Sequence, residues 1–255
     1  MFSCGVRHLS ILCVVSSCLV SPNLISAGDS DGSRPRKDHE SFHYTISLWG
    51  LPAGTGTLQA NYELTAQRGP QLRLKSTAHS NDFISLFFPV HNVVKSSIHP
   101  DTFLPRHVMF QRREGNDYED FDMTFHHEQK VVSIIKNSQA STMSISPHTH
   151  GPLSFLYYVR TLQDLTPGRS IALHVHHDKK NYDIAINVEE IERMSGPWGE
   201  AEVIRCEAVM PFRGIFANEG NFHFWLTNDQ DRIPVMMQAK VIVGSVKAVL
   251  EDRIP

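Results

Sequence analysis

The chain has 255 residues, of which 41% are hydrophobic and 20% charged, and this composition predicts one large or two small globular domains with an ample core. Its formal net charge of −3 and isoelectric point near 6.6 give no field strong enough to hold a polyanion, and the basic residues are scattered. Composition therefore argues against a disordered chain and against nucleic acid as a partner.

The first 27 residues have the order of a secretory signal peptide. Arg7 precedes an apolar stretch from Leu9 to Val20, Pro22 breaks the helix, and the small residue Ala27 offers a cleavage site. The stretch is far shorter than the roughly 20 apolar residues that span a bilayer, and no later segment is long or charge-free enough. We therefore expect an exported, periplasmic protein, cleaved after Ala27, that does not span the membrane.

Cysteine positions bear on the same question, because three of the four lie inside this segment: Cys4, Cys13 and Cys18. Cleavage after Ala27 leaves only Cys206, so no intramolecular disulfide is expected. It also removes Arg7, which leaves 23 basic against 27 acidic residues and a mature charge of −4. An alternative takes Val15-Ser16-Ser17-Cys18 as a lipobox, with the protein anchored to a membrane through lipidated Cys18.

The residues after the signal, 28–41, are polar, with glycine, serine, proline and charges and almost nothing to bury. Such a composition is typical of a flexible leader. The folded part starts near Phe42, no linker long enough to separate two domains follows, and no repeat recurs at a fixed period. The sequence predicts a single domain over residues 42–255.

The dominant pattern in this domain is alternation of apolar and polar residues, which places one side of a strand in a core and the other in water. It is clearest in residues 42–48, 58–64, 171–175 and 182–188. Turn-forming residues separate such runs, at 50–54, 68–70, 114–117, 178–181 and 195–197. We predict an all-β fold: an antiparallel, strongly curved sheet, barrel or half-barrel of about a dozen strands.

One segment has helical periodicity instead, carried by Leu153, Leu156, Tyr157 and Arg160. Pro152 stands where a first-turn proline belongs, and Pro167-Gly168 ends the pattern. We predict a single packed helix that lies against the curved sheet or across its mouth.

The closing part of the chain holds Asn228, Asp229 and Asp231 between two alternating apolar runs. An EF-hand calcium loop is excluded because Ile233 and Pro234 stand where that pattern needs an oxygen ligand and a glycine. Asparagine and aspartate tolerate turn geometry, so residues 228–232 are predicted to form a hairpin turn.

The fifteen histidines invite a metal site, and His174 and His176 are placed two apart on a strand, as a metal needs. No third ligand is evident in the sequence. The two histidines lie on the opposite side of the strand from Leu173, and that side is predicted to face solvent. His126-His127 and His148-Thr149-His150 are weaker candidates. The sequence predicts no metal site.

No catalytic residue and no cofactor are predicted. No Gly-x-Ser-x-Gly, phosphate-binding loop, dinucleotide fingerprint or metalloprotease motif occurs, and Cys206 reads as a lone buried thiol. Glu119, Asp120 and Asp122 could form an acid/base pair. The same acidic residues would also be expected on the solvent-exposed face of a strand that follows a turn, without any catalytic role.

Three stretches resemble a bacterial exported family, the domain of unknown function 3108. The mid-chain helix resembles it in Pro152-Leu153-Ser154, Leu156-Tyr157-Tyr158 and Arg160; the closing strands in Trp225-Leu226, Asp229, Arg232, Pro234, Val235, Gly244 and Leu250; and an early hairpin in residues 53–64. The similarity spans roughly Phe42 to Leu250. Gly151 stands where an aspartate cap would be expected, which argues against a catalytic carboxylate there. The resemblance implies no established activity, substrate or catalytic residue.

The architecture, similar in outline to the half-barrels of periplasmic lipoprotein carriers, favours a non-enzymatic envelope protein that binds a lipid or acyl chain in its concave face. The apolar segment with Phe83, Leu86, Phe87 and Phe88 motivates this hypothesis, although these side chains could equally fill the interior. Alternatives are an assembly partner recognised through an exposed strand edge and an envelope-polymer hydrolase using residues 119–122. An outer-membrane barrel is disfavoured by the helix and the charged strand faces.

Overall fold

A computed structural model describes residues 38–65, 69–209, 222–241 and 244–254. The predicted signal peptide, its cleavage site after Ala27, the alternative anchor Cys18 and most of the predicted leader lie outside these residues. Within the described part no helix has the length and apolar composition needed to cross a bilayer.

The described residues form fourteen strands and two helices. The strands are β1 (His39–Leu48), β2 (Leu51–Thr65), β3 (Gly69–Ser80), β4 (His91–Ile98), β5 (Pro105–Glu114), β6 (Asp117–His126), β7 (Val131–Lys136), β8 (Gln139–Ser144), β9 (Ser170–His177), β10 (Lys180–Gly196), β11 (Gly199–Val209), β12 (Phe222–Thr227), β13 (Pro234–Val241) and β14 (Gly244–Ile254). The helices are α1 (Asp82–Ser85) and α2 (Ser154–Thr161). β1 begins at His39, inside the range 28–41 that composition marks as a leader.

All fourteen strands belong to one antiparallel sheet in the order β8-β7-β6-β5-β4-β3-β2-β1-β14-β13-β12-β11-β10-β9. Consecutive strands are therefore neighbours in the sheet, except β8 and β9, which lie at opposite edges, and the pairing of β1 with β14 joins the two halves. The sheet is not closed, because β8 and β9 form its two edges. The predicted antiparallel, curved, all-β fold with a packed helix is confirmed.

The alternation in the sequence positions the side chains as predicted. In β1, Phe42 and Tyr44 are buried on the concave face, and in β2 Leu58 and Ala60 occupy the same face. Gly54 is needed for sheet geometry, since a Cβ atom there would collide with the backbone carbonyl of its neighbour on β3.

The predicted helix is α2, which buries most of its surface on the concave side of the sheet: Ser154, Phe155, Leu156, Tyr157, Val159 and Arg160 are buried. It begins two residues later than Pro152 suggests. Its N-cap is Leu153, which makes no side-chain capping bond, while the amide of Gly151 donates to Ser154 Oγ at 2.7 Å. The expected capping position at Gly151 is therefore wrong.

A buried ion pair ties α2 to the sheet. Arg160 donates from Nη1 and Nη2 to the two carboxylate oxygens of Glu40 at 2.6 and 3.0 Å. It also donates to the backbone carbonyls of Arg232 at 2.9 Å and Asp231 at 3.2 Å. Burial opposes the charge, but the pairing with Glu40 prevails and raises the pKa of Arg160. One guanidinium thus joins α2, β1 and the turn between β12 and β13.

That turn, residues 228–232, is the predicted hairpin connection. Asp229 Oδ1 accepts from Thr227 Oγ1 at 2.7 Å and from the amides of Asp231 and Arg232 at 3.0 Å each. The carboxylate is thus occupied by its own backbone, as in an Asx-turn. Arg232 adopts a left-handed conformation with φ +46°, and its Nη1 donates to Asn228 Oδ1 at 2.9 Å.

Candidate functional site

The concave interior contains two separate apolar clusters rather than one core. The larger is formed by β1–β4, α2 and β9–β14, and the smaller by β5–β7 with Ile145. The smaller cluster contains Val108, Phe110, Phe121, Met123, Phe125, Val132 and Ile134. The interior is therefore divided, and what lies along the division decides whether a ligand could enter.

Filling of the interior also differs between the two ends of β1–β4. At the end near α2, inward-facing side chains such as Phe42, Leu74 and Ile98 are at most 1% exposed. At the opposite end, which we call the open end, the inward positions of β2 and β3 carry only small residues: Gly54, Gly56, Ser76, Ala78 and Ser80. The serines and Ala78 are half-buried, as are Ile46 and Leu48 on β1. The concave face is therefore shallowly filled at the open end.

Six large apolar side chains stand exposed around the open end, and we call them the apolar rim: Trp49, Leu51, Phe83, Leu86, Phe87 and Phe88, which are 52–78% exposed. Two hydrogen bonds from Asn81 hold the α1 segment there. The side-chain Nδ2 donates to the backbone carbonyl of Pro52 at 2.8 Å, and the backbone N–H donates to the backbone carbonyl of Ala53 at 2.8 Å. The ring of Phe88 reaches Gly115 in the β5–β6 turn. The alternative that Phe83, Leu86, Phe87 and Phe88 fill the interior is wrong, because all four are exposed.

A polar network lies where the smaller cluster meets the open end. Arg112 donates from Nη1 to Glu119 at 2.6 Å, and Glu119 also pairs with Lys136 Nζ at 2.5 Å. Lys136 then approaches Asp178 of the β9–β10 turn at 3.6 Å. Arg112, Glu119 and Lys136 lie on the same face of their strands as the buried residues Phe110 and Phe121. The network therefore faces the interior.

Arg112 is the least satisfied member of this network. The residue is 9% exposed, and its Nε and Nη2 atoms are buried without a hydrogen-bond partner among the described residues. The next residue, Arg113, donates its backbone amide to Asn92 Oδ1 at 3.0 Å, and Asn92 is the cross-strand neighbour of Ala78 in the shallow part of the concave face. A guanidinium with unused donors, next to small side chains, is suited to receive the polar end of a ligand.

His177 closes the network from the other half of the sheet. Its ring lies 5.7 Å from that of Phe110, across the division between the two clusters. Burial, assisted by the charge of Arg112, lowers the pKa of His177 to about 4. His177 is therefore neutral at physiological pH and adds no charge to the site.

Sequence comparison assigns the chain to a family. The model of the family described as "Protein of unknown function (DUF3108)" matches residues 43–251. The chain belongs to the DUF3108 family. This confirms the resemblance read from the helix and hairpin residues. No curated protein sequence matches this DUF3108 protein.

Among solved structures, this DUF3108 protein is similar to a beta-barrel-like protein of domain of unknown function DUF1849 from Brucella abortus. The two share 10% sequence identity at a TM-score of 0.57, over 86% of this chain and 98% of that one. The hypothetical protein CT021 from Chlamydia trachomatis aligns at 9% identity and a TM-score of 0.33, over 84% and 86% of the two chains. The first likeness supports a barrel-like fold, and the second is too weak to carry an argument.

The acidic cluster predicted at residues 119–122 is divided between two faces of the sheet. Glu119 points to the interior, whereas Asp120 and Asp122 lie on the outer face. Asp120 pairs with Arg113 at 2.7 Å and Asp122 with His107 Nε2 at 2.7 Å. The three carboxylates therefore do not converge as an acid/base pair.

The predicted placement of the β9 histidines on a common wet face is wrong. His174 is exposed and lies 2.6 Å from Asp183, but His176 is completely buried. The cause is a parallel bridge, in which the amides of His150 and His176 bond the carbonyls of His174 and His150. This segment covers the edge of β9 and encloses His176. Burial lowers the pKa of His176 and takes that of His150 to about 3.

Cys206 is buried and free, as the sequence predicts. Burial raises the pKa of its thiol to about 12, so the reactive thiolate is absent at neutral pH. Arg112 was not identified from the sequence. The signal was present, because Arg112 is two residues from Phe110 on β5 and therefore lies on the same, core-facing side of the strand.

Proposed function

We propose that this DUF3108 protein is an exported cell-envelope protein that binds an apolar chain, such as that of a lipid, in the concave face at the open end. The observation that carries the proposal is the contrast between the two ends of β1–β4. Large side chains fill the interior beside α2, whereas glycine, alanine and serine line it at the open end. Ligand pockets of this kind are concave, mostly apolar, and supplied with few polar groups.

The apolar rim supports the same function. Contiguous exposed aromatic and leucine side chains are uncommon on soluble monomers and mark sites of contact with apolar partners. Phe83 and Phe87 pack edge to face at 5.7 Å, so they present one surface rather than two isolated rings. An acyl chain entering the open end would pass these side chains first.

Arg112 supplies a polar group at the inner end of this path. Its unpaired Nε and Nη2 donors match a carboxylate or phosphate, which accept two parallel hydrogen bonds. The ligand that best fits both features is an amphiphile with an apolar chain and an acidic head group.

An assembly role through a strand edge is a second candidate, since β8 pairs only with β7 in the described sheet and is mostly exposed. The carbonyl of its last residue, Ser144, accepts from Asn181 at 2.7 Å. Reproducible crosslinks from β8 to one protein in cells would support this role, and their absence would count against it.

Two measurements test ligand binding. Native mass spectrometry of the protein purified from envelopes should detect a copurified apolar molecule, and a fluorescent fatty acid should bind the delipidated protein at one site per chain. Ala78→Phe should weaken uptake at least about tenfold, because the added ring would displace two or more methylene groups of the bound chain, each of which contributes about 0.8 kcal/mol of apolar burial. Lys75→Phe, on the outer face of the same strand, is the matched control.

The outcomes separate the ligand hypothesis from its alternatives. Protein that is always ligand-free and takes up no fatty acid would refute it. Equal uptake by wild type and Ala78→Phe would place the binding site elsewhere, provided that circular dichroism shows both to be folded. If the guanidinium receives the head group, Arg112→Gln should lower the affinity for a fatty acid more than the affinity for the methyl ester of that fatty acid.

A further inference from the structure

Three metal-ligating side chains converge on the outer face of the sheet, away from the concave interior. Glu189 lies on β10, Glu207 on β11 and His223 on β12. Glu207 and His223 are direct cross-strand neighbours. The register between β10 and β11 shifts between Val188 and Glu190, as at a β-bulge. A bulge re-aims the side chain of its extra residue, which brings Glu189 into this row.

The separations between these groups suit a shared cation better than hydrogen bonds. His223 Nε2 lies 3.7 Å from Glu189 Oε2 and 3.8 Å from Glu207 Oε1, and all three ligand atoms are within 4.8 Å of one another. Hydrogen bonds from a ring nitrogen are shorter, at about 3 Å. Donors at about 2.1 Å from a tetrahedral metal are about 3.4 Å apart, so a small inward movement would complete the geometry.

The surrounding charge favours a cation. Arg205 Nε donates to Glu189 at 2.7 Å, and its Nη1 lies 2.7 Å from Glu190. Glu192 adds a third carboxylate near this guanidinium, and Glu207 lies beside His223, so negative charge exceeds positive in this group of side chains. The side chains of Glu189, Glu207 and His223 are 27%, 18% and 30% exposed, which reduces screening by solvent while leaving access for an ion.

Neighbouring side chains also hold the carboxylates in place. Asn187 Nδ2 donates to Glu207 Oε2 at 3.4 Å, while the other oxygen, Oε1, faces His223 Nε2 at 3.8 Å. Such outer contacts orient metal ligands and limit the entropy lost on binding.

We propose that Glu189, Glu207 and His223 form a divalent transition-metal site on the outer face of β10–β12. One imidazole and two carboxylates suit Zn²⁺, with water completing a tetrahedron. The site is independent of ligand binding in the concave face, since its side chains point away from it.

Calorimetric titration of the untagged mature chain with Zn²⁺ tests this proposal. We expect one class of site per chain, weakened about 100-fold by His223→Ala or Glu207→Gln and about tenfold by Asn187→Ala, the range seen for changes around metal ligands. His174→Ala is the matched control, because His174 also lies on an outer strand face beside a carboxylate, Asp183, but has no third donor there among the described residues. It should bind Zn²⁺ as the wild type does.

Two further readouts protect the test against misfolded variants. Zn²⁺ should raise the melting temperature of the wild type and not that of His223→Ala, and Co²⁺ should produce the visible absorption of a tetrahedral site only when all three ligands are present. The proposal is overturned if the wild type binds no Zn²⁺ at a single site, if His223→Ala and Glu207→Gln bind it unchanged, or if His174→Ala alone loses it.

Discussion

The buried pair between Arg160 and Glu40 makes the strongest stability prediction. Both residues are less than 10% exposed, and two parallel hydrogen bonds of 2.6 and 3.0 Å join them. Arg160→Met keeps most of the side-chain volume but leaves the carboxylate of Glu40 buried without its counter-ion. It also removes the donors to the carbonyls of Asp231 and Arg232. Breaking such a pair costs about 3–5 kcal/mol, which for a domain of this size lowers the melting temperature by about 10 °C.

Urea unfolding followed by tryptophan fluorescence measures this cost, and a double-mutant cycle isolates its origin. Glu40→Leu should cost a similar amount, because it leaves the guanidinium unpaired. The double variant Glu40→Leu/Arg160→Met should be more stable than either single variant, since it buries no uncompensated charge. Arg193→Met is the control: its 3.4 Å bridge to Glu200 joins side chains that are 81% and 64% exposed, so its loss should hardly be measurable.

Additive effects of the two substitutions would show that Arg160 and Glu40 do not depend on each other. If both single variants at Glu40 and Arg160 lose less than about 1 kcal/mol, or if their costs simply sum in the double variant, the pair does not act as one buried unit. The helix α2 would then be held by its apolar contacts alone.

Three further predictions concern single side chains. Burial lowers the pKa of His177 from an ordinary 6.5 to about 4, so this residue takes up a proton when the chain unfolds between these pH values. The stability that comes from keeping His177 neutral and buried is therefore complete above pH 6.5 and is lost as the pH falls to 4. Urea unfolding should show about 3 kcal/mol less acid destabilisation in His177→Gln than in the wild type over that interval; parallel pH profiles would contradict this. In a chain that starts at Gly28, and so has no other cysteine, Cys206 should react with a thiol reagent only after denaturation; fast labelling of the native protein would contradict its complete burial. Asp229→Ala should cost about 1–2 kcal/mol in thermal unfolding and Asp229→Asn clearly less, because asparagine keeps the accepting oxygen; equal costs would show that charge, not the turn, matters.

Local periodicity was enough to predict the fold class and many of its strands. Alternation through Phe42 and Tyr44 identified β1, helical spacing up to Arg160 identified α2, and the residues at 228–232 identified the last turn before β13. These features depend on contacts within one element or between consecutive elements. The described strands follow the same rule, since consecutive strands pair everywhere except between β8 and β9, and β1 pairs with β14 to join the two halves.

The candidate sites depend on contacts that periodicity does not encode. His176 has the phase of a solvent-facing residue but is covered by the segment at His150, which returns to pair with β9 after β8. Phe87 belongs to an apolar run that would fill a core if it were a strand, yet Asn81 caps a single helical turn that leaves the ring exposed. The row of Glu189 and His223 arises from a register shift, which no alternation pattern announces.

The unequal filling of the interior separates stability from binding. The end beside α2 contains large buried side chains and the Arg160 ion pair, and the open end contains glycine, alanine and serine where larger residues would add apolar burial. If the open end serves a ligand, the two ends should respond independently to substitution. Arg160→Met should lower stability without changing fatty-acid affinity per folded molecule, whereas Ala78→Phe should lower affinity with little loss of stability. A stability loss in Ala78→Phe as large as that in Arg160→Met would mean that the interior is packed at both ends, and the argument for a binding face would fail.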